Sequence, residues 1–205
     1  MFGIKTTKTN SNYWKDRKID WSKHYTATWN HPHRQLIVDV LRRIRFESLW
    51  EIGCGSGPNI LKIVKELPAK QLGGSDVNKD AIELARKTFK GGMFHVESGE
   101  DIFMSDNSVD VVLSDMMLIY VGPTKIKKYL KEMKRISRGS VILCEFHSEV
   151  WWERWLARLK GYNVYDYKKL LENLGFYGII VNKIPEHYWG KDDNSKFRSL
   201  IMASK

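Results

Sequence analysis

An α/β fold built on an open, mostly parallel sheet is what this sequence predicts, and three observations carry the prediction. Short apolar runs that read as strands alternate with segments whose apolar residues recur at helical spacing, the pattern of right-handed strand-helix-strand crossovers. The stretch Ser48 to Asn59, SLWEIGCGSGPN, takes a short buried strand through Gly53, Gly55 and Gly57 into a helix that opens near Pro58. The stretch LGGSDVNKDAIELARK then sets Asp76 at the end of a second strand, just before another helix.

Residues 1–34 come first and show no sustained period. Tyr13, Trp14, Trp21, Tyr25 and Trp29 are interleaved there with Lys15, Arg17, Lys18 and Lys23. Two readings stand side by side: a lid or substrate wall, or an aromatic flap over a core edge. His31-Pro32-His33-Arg34 opens a helix, with Pro32 near its start. Two histidines about a proline suggest a metal pair, but no third ligand is spaced with them and no metal site is expected. Ile37, Val40, Leu41 and Ile44 predict an amphipathic helix over 35–45. Ile60, Ile63, Val64 and Leu67 predict the helix after the glycine turn, ending before Pro68, and Ala81, Ile82, Ala85 and Phe89 predict the one after Asp76, with Asn78 at its N-cap.

Met93 to Val96 reads as the third strand and Val109 to Ser114 as the fourth. Pro123 to Ile136 is a helix with Ile126, Tyr129, Leu130, Met133 and Ile136 on one face and lysines opposite. The fifth strand spans Ser140 to Glu145. The insertion 148–163 follows, with Trp151, Trp152 and Trp155 close together; it is a substrate-facing cap or a membrane-surface or partner helix, and its position favours the cap. A helix at Tyr167, Leu170, Leu171 and Leu174 leads to two apolar strands, 178–184 and 197–203. The loop between them, PEHYWGKDDNS, is too short for a crossover helix and predicts an antiparallel hairpin.

The 205 residues suit one α/β domain with a real core. Cys54 and Cys144 supply neither a disulfide framework nor metal spacing, so a reducing, cytoplasmic setting is expected. No apolar run is long enough for a signal peptide or a bilayer span, which predicts a soluble chain with no stable membrane insertion. The net charge of +10, from 34 Lys and Arg against 24 Asp and Glu, admits RNA as a partner. Segments such as KIKKYLKEMKR nevertheless read first as solvated helix faces. The residues leave the oligomeric state open.

Alternate glycines let a ligand lie against bare backbone at a helix N-terminus, which reads as a site for part of a nucleotide-like molecule. A carboxylate at Asp76 is placed to accept both hydroxyls of a ribose. The dinucleotide fingerprint G-x-G-x-x-G would need glycine where Pro58 stands; the pattern here is acid-x-G-x-G-x-G, led by Glu51. This stretch resembles the first motif of the class I S-adenosylmethionine-dependent methyltransferases, and Ser48 to His147 resembles their small type 11 group.

The resemblance implies a Rossmann-like, doubly wound, seven-stranded sheet with a C-terminal antiparallel hairpin. It implies S-adenosyl-L-methionine as cofactor, held in a core over 35–147, with 148–163 as cap and 164–205 as the closing helix and hairpin. Glu51, Gly53, Cys54, Gly55 and Gly57 are then expected at the cofactor's methionine end and turn, Asp76 and Val77 at the ribose, and Ser98, Gly99 and Glu100 at the adenine. Ser98 stands where the family often has aspartate, and Asp101 is an alternative. Ser114, Asp115 and Met116 are expected near the transferable methyl.

Methyl transfer from a sulfonium needs alignment more than acid or base chemistry. If the acceptor is a hydroxyl, His147 is the first candidate base, with Glu145 or Asp115 second. Trp14, Tyr25, Trp29, Tyr120, Trp151 and Trp152 are the expected substrate wall. The sequence lacks the Asn/Asp-Pro-Pro-aromatic run of amino-group DNA methyltransferases. It resembles heat-shock-type RNA methyltransferases around Asp115 in VDVVLSDM, but Glu145 stands near the place of the second lysine of their Lys-Asp-Lys-Glu set and the last strand SLIMAS has no glutamate. A small-molecule acceptor is therefore expected, with an RNA or protein methyltransferase, or a non-catalytic cofactor-binding scaffold, as the alternatives.

Overall fold

The computed structural model describes residues 11–68, 71–190 and 192–205. The first ten residues of the expected lid lie outside the described residues, as does the side chain of Tyr25. Helices α1 (Ser11–Lys15), α2 (Trp21–Thr28) and α3 (His33–Leu41) precede β1 (Ser48–Ile52). There follow α4 (Pro58–Glu66), β2 (Gln71–Asp76), α5 (Lys79–Thr88), β3 (Met93–Val96), β4 (Val109–Asp115), α6 (Ile126–Ile136) and β5 (Ser137–Phe146). The chain ends with α7 (Trp151–Leu159), α8 (Tyr167–Asn173), β6 (Tyr177–Lys183) and β7 (Arg198–Ser204).

The seven strands form one sheet in the order β3-β2-β1-β4-β5-β7-β6. The first five are parallel, and β7 runs antiparallel to both β5 and β6. The closing hairpin is thus inserted so that its second strand meets the parallel part. All five residues of β1 are buried, as a strand covered on both faces requires. Leu49 and Trp50 point to opposite faces. On one face Leu49, Val111 and Ile142 pack beneath Ile37, Val38, Ile60, Ile63 and Ile82 of α3, α4 and α5. On the other, Trp50, Val112, Val141 and Leu143 pack beneath Leu130, Met133 and Ile136 of α6 and Tyr167 and Leu171 of α8. Each such aliphatic side chain contributes about 1.5–3 kcal/mol on burial.

Three of the boundaries that differ from expectation do so for local reasons. Helix α3 ends at Leu41 and not near residue 45, its last carbonyls taken by the N–H groups of Arg42 and Arg43. Helix α6 starts at Ile126 because Lys125 and Ile126 donate to the Gly122 carbonyl, making residues 122–125 a turn about Pro123. Strand β5 starts at Ser137, directly after α6 and three residues earlier than its apolar run. Strand order reverses between β1 and β4, whose successors lie on opposite sides, so a crevice opens beyond their carboxyl ends.

Candidate functional site

A cleft of about 540 Å³ occupies that crevice. The three glycines at its edge all have positive φ, +74°, +53° and +81°, but they serve different ends. A Cβ on Gly53 would lie 2.3 Å from Met117 Cγ, so Gly53 makes room for packing beneath the turn. A Cβ on Gly55 would meet only Trp21, at 3.6 Å, so its bare backbone faces the cleft. Gly57, also expected at the cofactor, faces Ala85 and Phe94 in the packing of helix on sheet and is not among the residues that line the cleft.

Asp76 stands across from this turn. Its Oδ2 accepts from the Gly55 N–H at 3.0 Å and its Oδ1 from the Asn78 N–H at 2.8 Å. Burial raises its carboxyl pKa against these bonds, which favour the ionised form. Val77 lines the cleft beside it.

The floor is a buried polar cluster. Asn59 Nδ2 donates to Glu51 Oε1 at 2.6 Å and to Asp115 Oδ2 at 2.9 Å. His33 Nε2 lies 2.9 Å from that same Asp115 oxygen, Arg34 donates to it at 3.0 Å, and Arg34 also donates to Asn59 Oδ1. Burial alone would raise Asp115, but the charges and hydrogen bonds of His33 and Arg34, with Asn59, outweigh it and hold the carboxyl well below the usual range. Among the described residues Glu51 has no cation in contact, and burial, only partly offset by the Asn59 hydrogen bond, pushes it up to about 8. Its Oε2 is buried with no hydrogen-bond partner among the described residues.

The N-terminal helices cover this site. Asn78 caps α5 by accepting from Ala81 N–H at 3.0 Å, and its Nδ2 donates to the carbonyls of Trp14 and Arg17 at 2.8 and 3.0 Å. One side chain thus fixes both the helix start and the covering segment. Trp14 reaches Tyr120, ring centroids 4.7 Å apart, and Trp21 lies over Gly55. Trp189, from the β6–β7 connection, stacks on His33 at 3.9 Å.

The structure therefore brings Glu51, Gly53, Cys54, Gly55, Asp76, Val77, Gly99, Asp115, Met116, Trp14 and Tyr120 to one cleft. Met116 arrives there with φ +53°, its N–H held by the Cys144 carbonyl. Other expected residues lie elsewhere. Ser114 is fully buried and donates to Glu145 Oε1 at 2.7 Å. That same oxygen accepts from the N–H groups of Met117 and Leu118, both at 3.0 Å, so Glu145 closes the turn after β4 from inside the core, and burial pushes it up to about 8.

His147 is also buried away from the cleft. Its Nδ1 accepts from the Tyr167 N–H at 3.2 Å, and burial lowers its pKa. Ser98 is engaged by the Tyr129 hydroxyl at 3.1 Å and Glu100 by Lys125 at 2.8 Å, and Asp101 is exposed. Beside Gly99, Glu97 also lines the cleft at this turn, and its Oε1 is buried without a partner among the described residues. Trp29 packs under Lys65 Nζ at 3.7 Å, and Trp151 and Trp152 face solvent.

Trp21 and Arg17, from the segment expected as a lid or substrate wall, line the cleft, and Ile19, His24, His33, Arg34 and Trp189 line it without having been singled out for it. His33 and Arg34 carried a signal, a His-Pro-His-Arg run, that spacing could not connect to an acid 82 residues away. Among the described residues no group of His, Cys, Asp and Glu has the geometry of a metal site.

These groups fit an adenosyl sulfonium. Gly55 offers backbone without a side chain, Asp76 two carboxylate oxygens, and the unpartnered Glu51 Oε2 a site for an ammonium.

The sequence of residues 50–139 matches the family model described as a methyltransferase domain. Two curated proteins named ribosomal protein L11 methyltransferase are similar. The one from Dictyoglomus turgidum is 28% identical over 110 residues, covering 51% of this chain and 37% of that protein. The one from Aquifex aeolicus is 26% identical over 162 residues, covering 77% and 62%. The chain thus spans less than two thirds of the length of either relative. Magnesium protoporphyrin IX methyltransferase from Synechocystis PCC 6803, solved with bound S-adenosylmethionine, superposes with a TM-score of 0.68 at 12% identity, over 100% of this chain and 99% of that one. Over residues 50–139 the chain is thus similar to a methyltransferase domain, and its Rossmann-like sheet is shared with that S-adenosylmethionine-bound enzyme.

Proposed function

We propose that this chain transfers the methyl group of S-adenosylmethionine to a small molecule held within the cleft. The supporting observation is that one cleft of about 540 Å³ is lined both by the Gly55, Asp76 and Glu51 groups and by the rings of Trp14, Tyr120 and Trp189. That size suits a cofactor and a compact partner more than a polymer strand.

In this reading Asp76 accepts from the ribose hydroxyls, Glu97 and Gly99 meet the adenine, and Glu51 takes the ammonium of the methionine part. When bound, the cofactor supplies a methyl on a sulfonium, a leaving group already activated. The chain's work is then orientation and exclusion of water, effects that supply several kcal/mol. Trp14 and Trp21 close over the site. Asp115 is held by His33, Arg34 and Asn59 and so fixes the floor instead of accepting a proton. For a hydroxyl acceptor we assign the proton to an imidazole nitrogen of His24, which lines the cleft and whose pKa is lowered by burial and then by the Arg34 charge. The ring is neutral at pH 7 and ready to accept.

A protein acceptor is the second reading, favoured by the names of the two curated relatives. The test is incubation with methyl-labelled cofactor and three pools: metabolite extract, RNA and ribosomal protein. Label in the metabolite fraction supports the first reading, and label confined to protein or RNA replaces it. Cofactor binding without demethylated product in any pool would make the chain a cofactor-binding scaffold.

A further inference from the structure

Of the twelve large apolar side chains exposed among the described residues, six fall on α7 and its N-cap: Val150, Trp151, Trp152, Trp155, Leu156 and Leu159. Trp151, Trp152 and Trp155 are 72%, 48% and 55% exposed. Positions 151, 152, 155, 156 and 159 follow one another at helical spacing and make a continuous stripe. Within α7 only Ala157 is buried, against Ile119, Phe146, Val164 and Phe197, with Met116 and Tyr120 packed on the same cluster. The helix is therefore seated on the wall of the cleft by its small residue and turns its large ones outward. Contiguous exposed apolar surface of this kind marks an interaction site.

Charge selects the occupant. Glu153, the acid of the helix, is engaged by Lys196 at 2.9 Å and by the Ser148 hydroxyl at 2.6 Å. Arg158 is exposed beside the stripe, and the chain as a whole carries +10. A second copy would bring the same excess of positive charge against it. Indole rings with one polar edge, flanked by arginine and lysine, are the side chains that settle at a headgroup boundary, and anionic headgroups add about 1 kcal/mol for each nearby Lys or Arg. We propose that α7 docks the protein peripherally on an anionic lipid surface, with Trp151, Trp152 and Trp155 at the boundary between headgroups and acyl chains. The docking needs no spanning segment, and among the described residues no helix is long and apolar enough to be one. It brings the Met116 and Tyr120 side of the cleft towards the lipid, and it does not depend on which acceptor the cleft holds.

The test is sedimentation of the full chain with phosphatidylcholine vesicles, with and without phosphatidylglycerol, together with tryptophan emission. Binding to the phosphatidylglycerol vesicles, a blue shift, and quenching by brominated acyl chains are expected. The double variant Trp151→Ser, Trp155→Ser should keep its melting temperature and lose at least about tenfold in vesicle affinity. No binding to anionic vesicles, or equal binding by the double variant, would overturn the proposal. So would a wild-type emission that brominated lipid leaves unquenched, a result independent of how the variant folds. A concentration-dependent dimer that hides these indoles in the absence of lipid would assign the face to a second copy.

Discussion

The backbone N–H of Gly55 donates to Oδ2 of Asp76 at 3.0 Å, joining the turn after β1 to the end of β2 across the mouth of the cleft. A residue with φ +53° and no Cβ and a carboxylate one strand away thus form a single unit before any ligand arrives. The consequences of that unit, and of the groups around it, are measurable.

Asp76→Ala should weaken S-adenosylmethionine binding by more than about tenfold, the cost of two charge-assisted hydrogen bonds to ribose. Asp76→Asn should lie between the two, since one oxygen survives. Isothermal calorimetry with both variants checks this, and unchanged affinity would remove the ribose role.

Glu51 sits at about 8 in the free protein because it is buried, so below that pH it carries a proton that an arriving ammonium must expel. Cofactor affinity should therefore rise with pH by up to about tenfold per unit between pH 6 and 8. Calorimetry in buffers of different ionisation enthalpy should detect the released proton. Glu51→Gln should bind more weakly at pH 8 and show neither the slope nor the proton.

Asn78→Asp keeps the cap on Ala81 but replaces the two donations to the Trp14 and Arg17 carbonyls with repulsion. The expected result is a raised cofactor KM, with the melting temperature changed little. Asn78→Ala should lose the cap as well and cost a further ~1 kcal/mol. Thermal melts and steady-state kinetics separate the two.

His147→Ala should leave kcat within about threefold of wild type, because its ring serves the Tyr167 N–H and not the cleft. His24→Ala should lower kcat by roughly 10²-fold or more for a hydroxyl acceptor and remove the acidic limb of the pH profile. Equal effects of the two would return the base to the fifth strand.

Glu145 is raised from its ordinary range to about 8 by burial, so the stability it contributes is complete below about 4.5 and is lost as pH rises through 8. The melting temperature of wild type should fall more between pH 6 and 9 than that of Glu145→Gln. Glu145→Ala should be destabilised at every pH, since the Ser114 hydroxyl and the Met117 and Leu118 amides lose their acceptor, at roughly 1–3 kcal/mol for each buried group left unpaired.

Reading the chain alone placed all seven strands and the hairpin, because period and turn chemistry are local. It also named Gly55 and Asp76, whose separation is set by one crossover of short fixed parts. It missed Glu97 by a single residue: the chain turns inward directly after Val96, while Ser98 and Glu100 are taken by Tyr129 and Lys125 from α6 and the turn before it. It placed His147 and Glu145 at the productive edge because they close β5. Yet Glu145 turns into the core beneath the 117–119 turn, and His147 pairs with the start of α8.

What the amino acids determined unaided was the architecture and the bare-backbone glycine turn at its ligand-facing edge, since each depends on neighbours a few residues apart. The assembly of the floor was decided by folding alone: His33 and Arg34 stand 82 and 81 residues from Asp115, and their attraction exists only once α3 is laid against the end of β4. The same holds for the tryptophans of α7, whose spacing suits a buried or an exposed stripe equally. Only the seating of Ala157 against Phe146 and Val164 turned them outward.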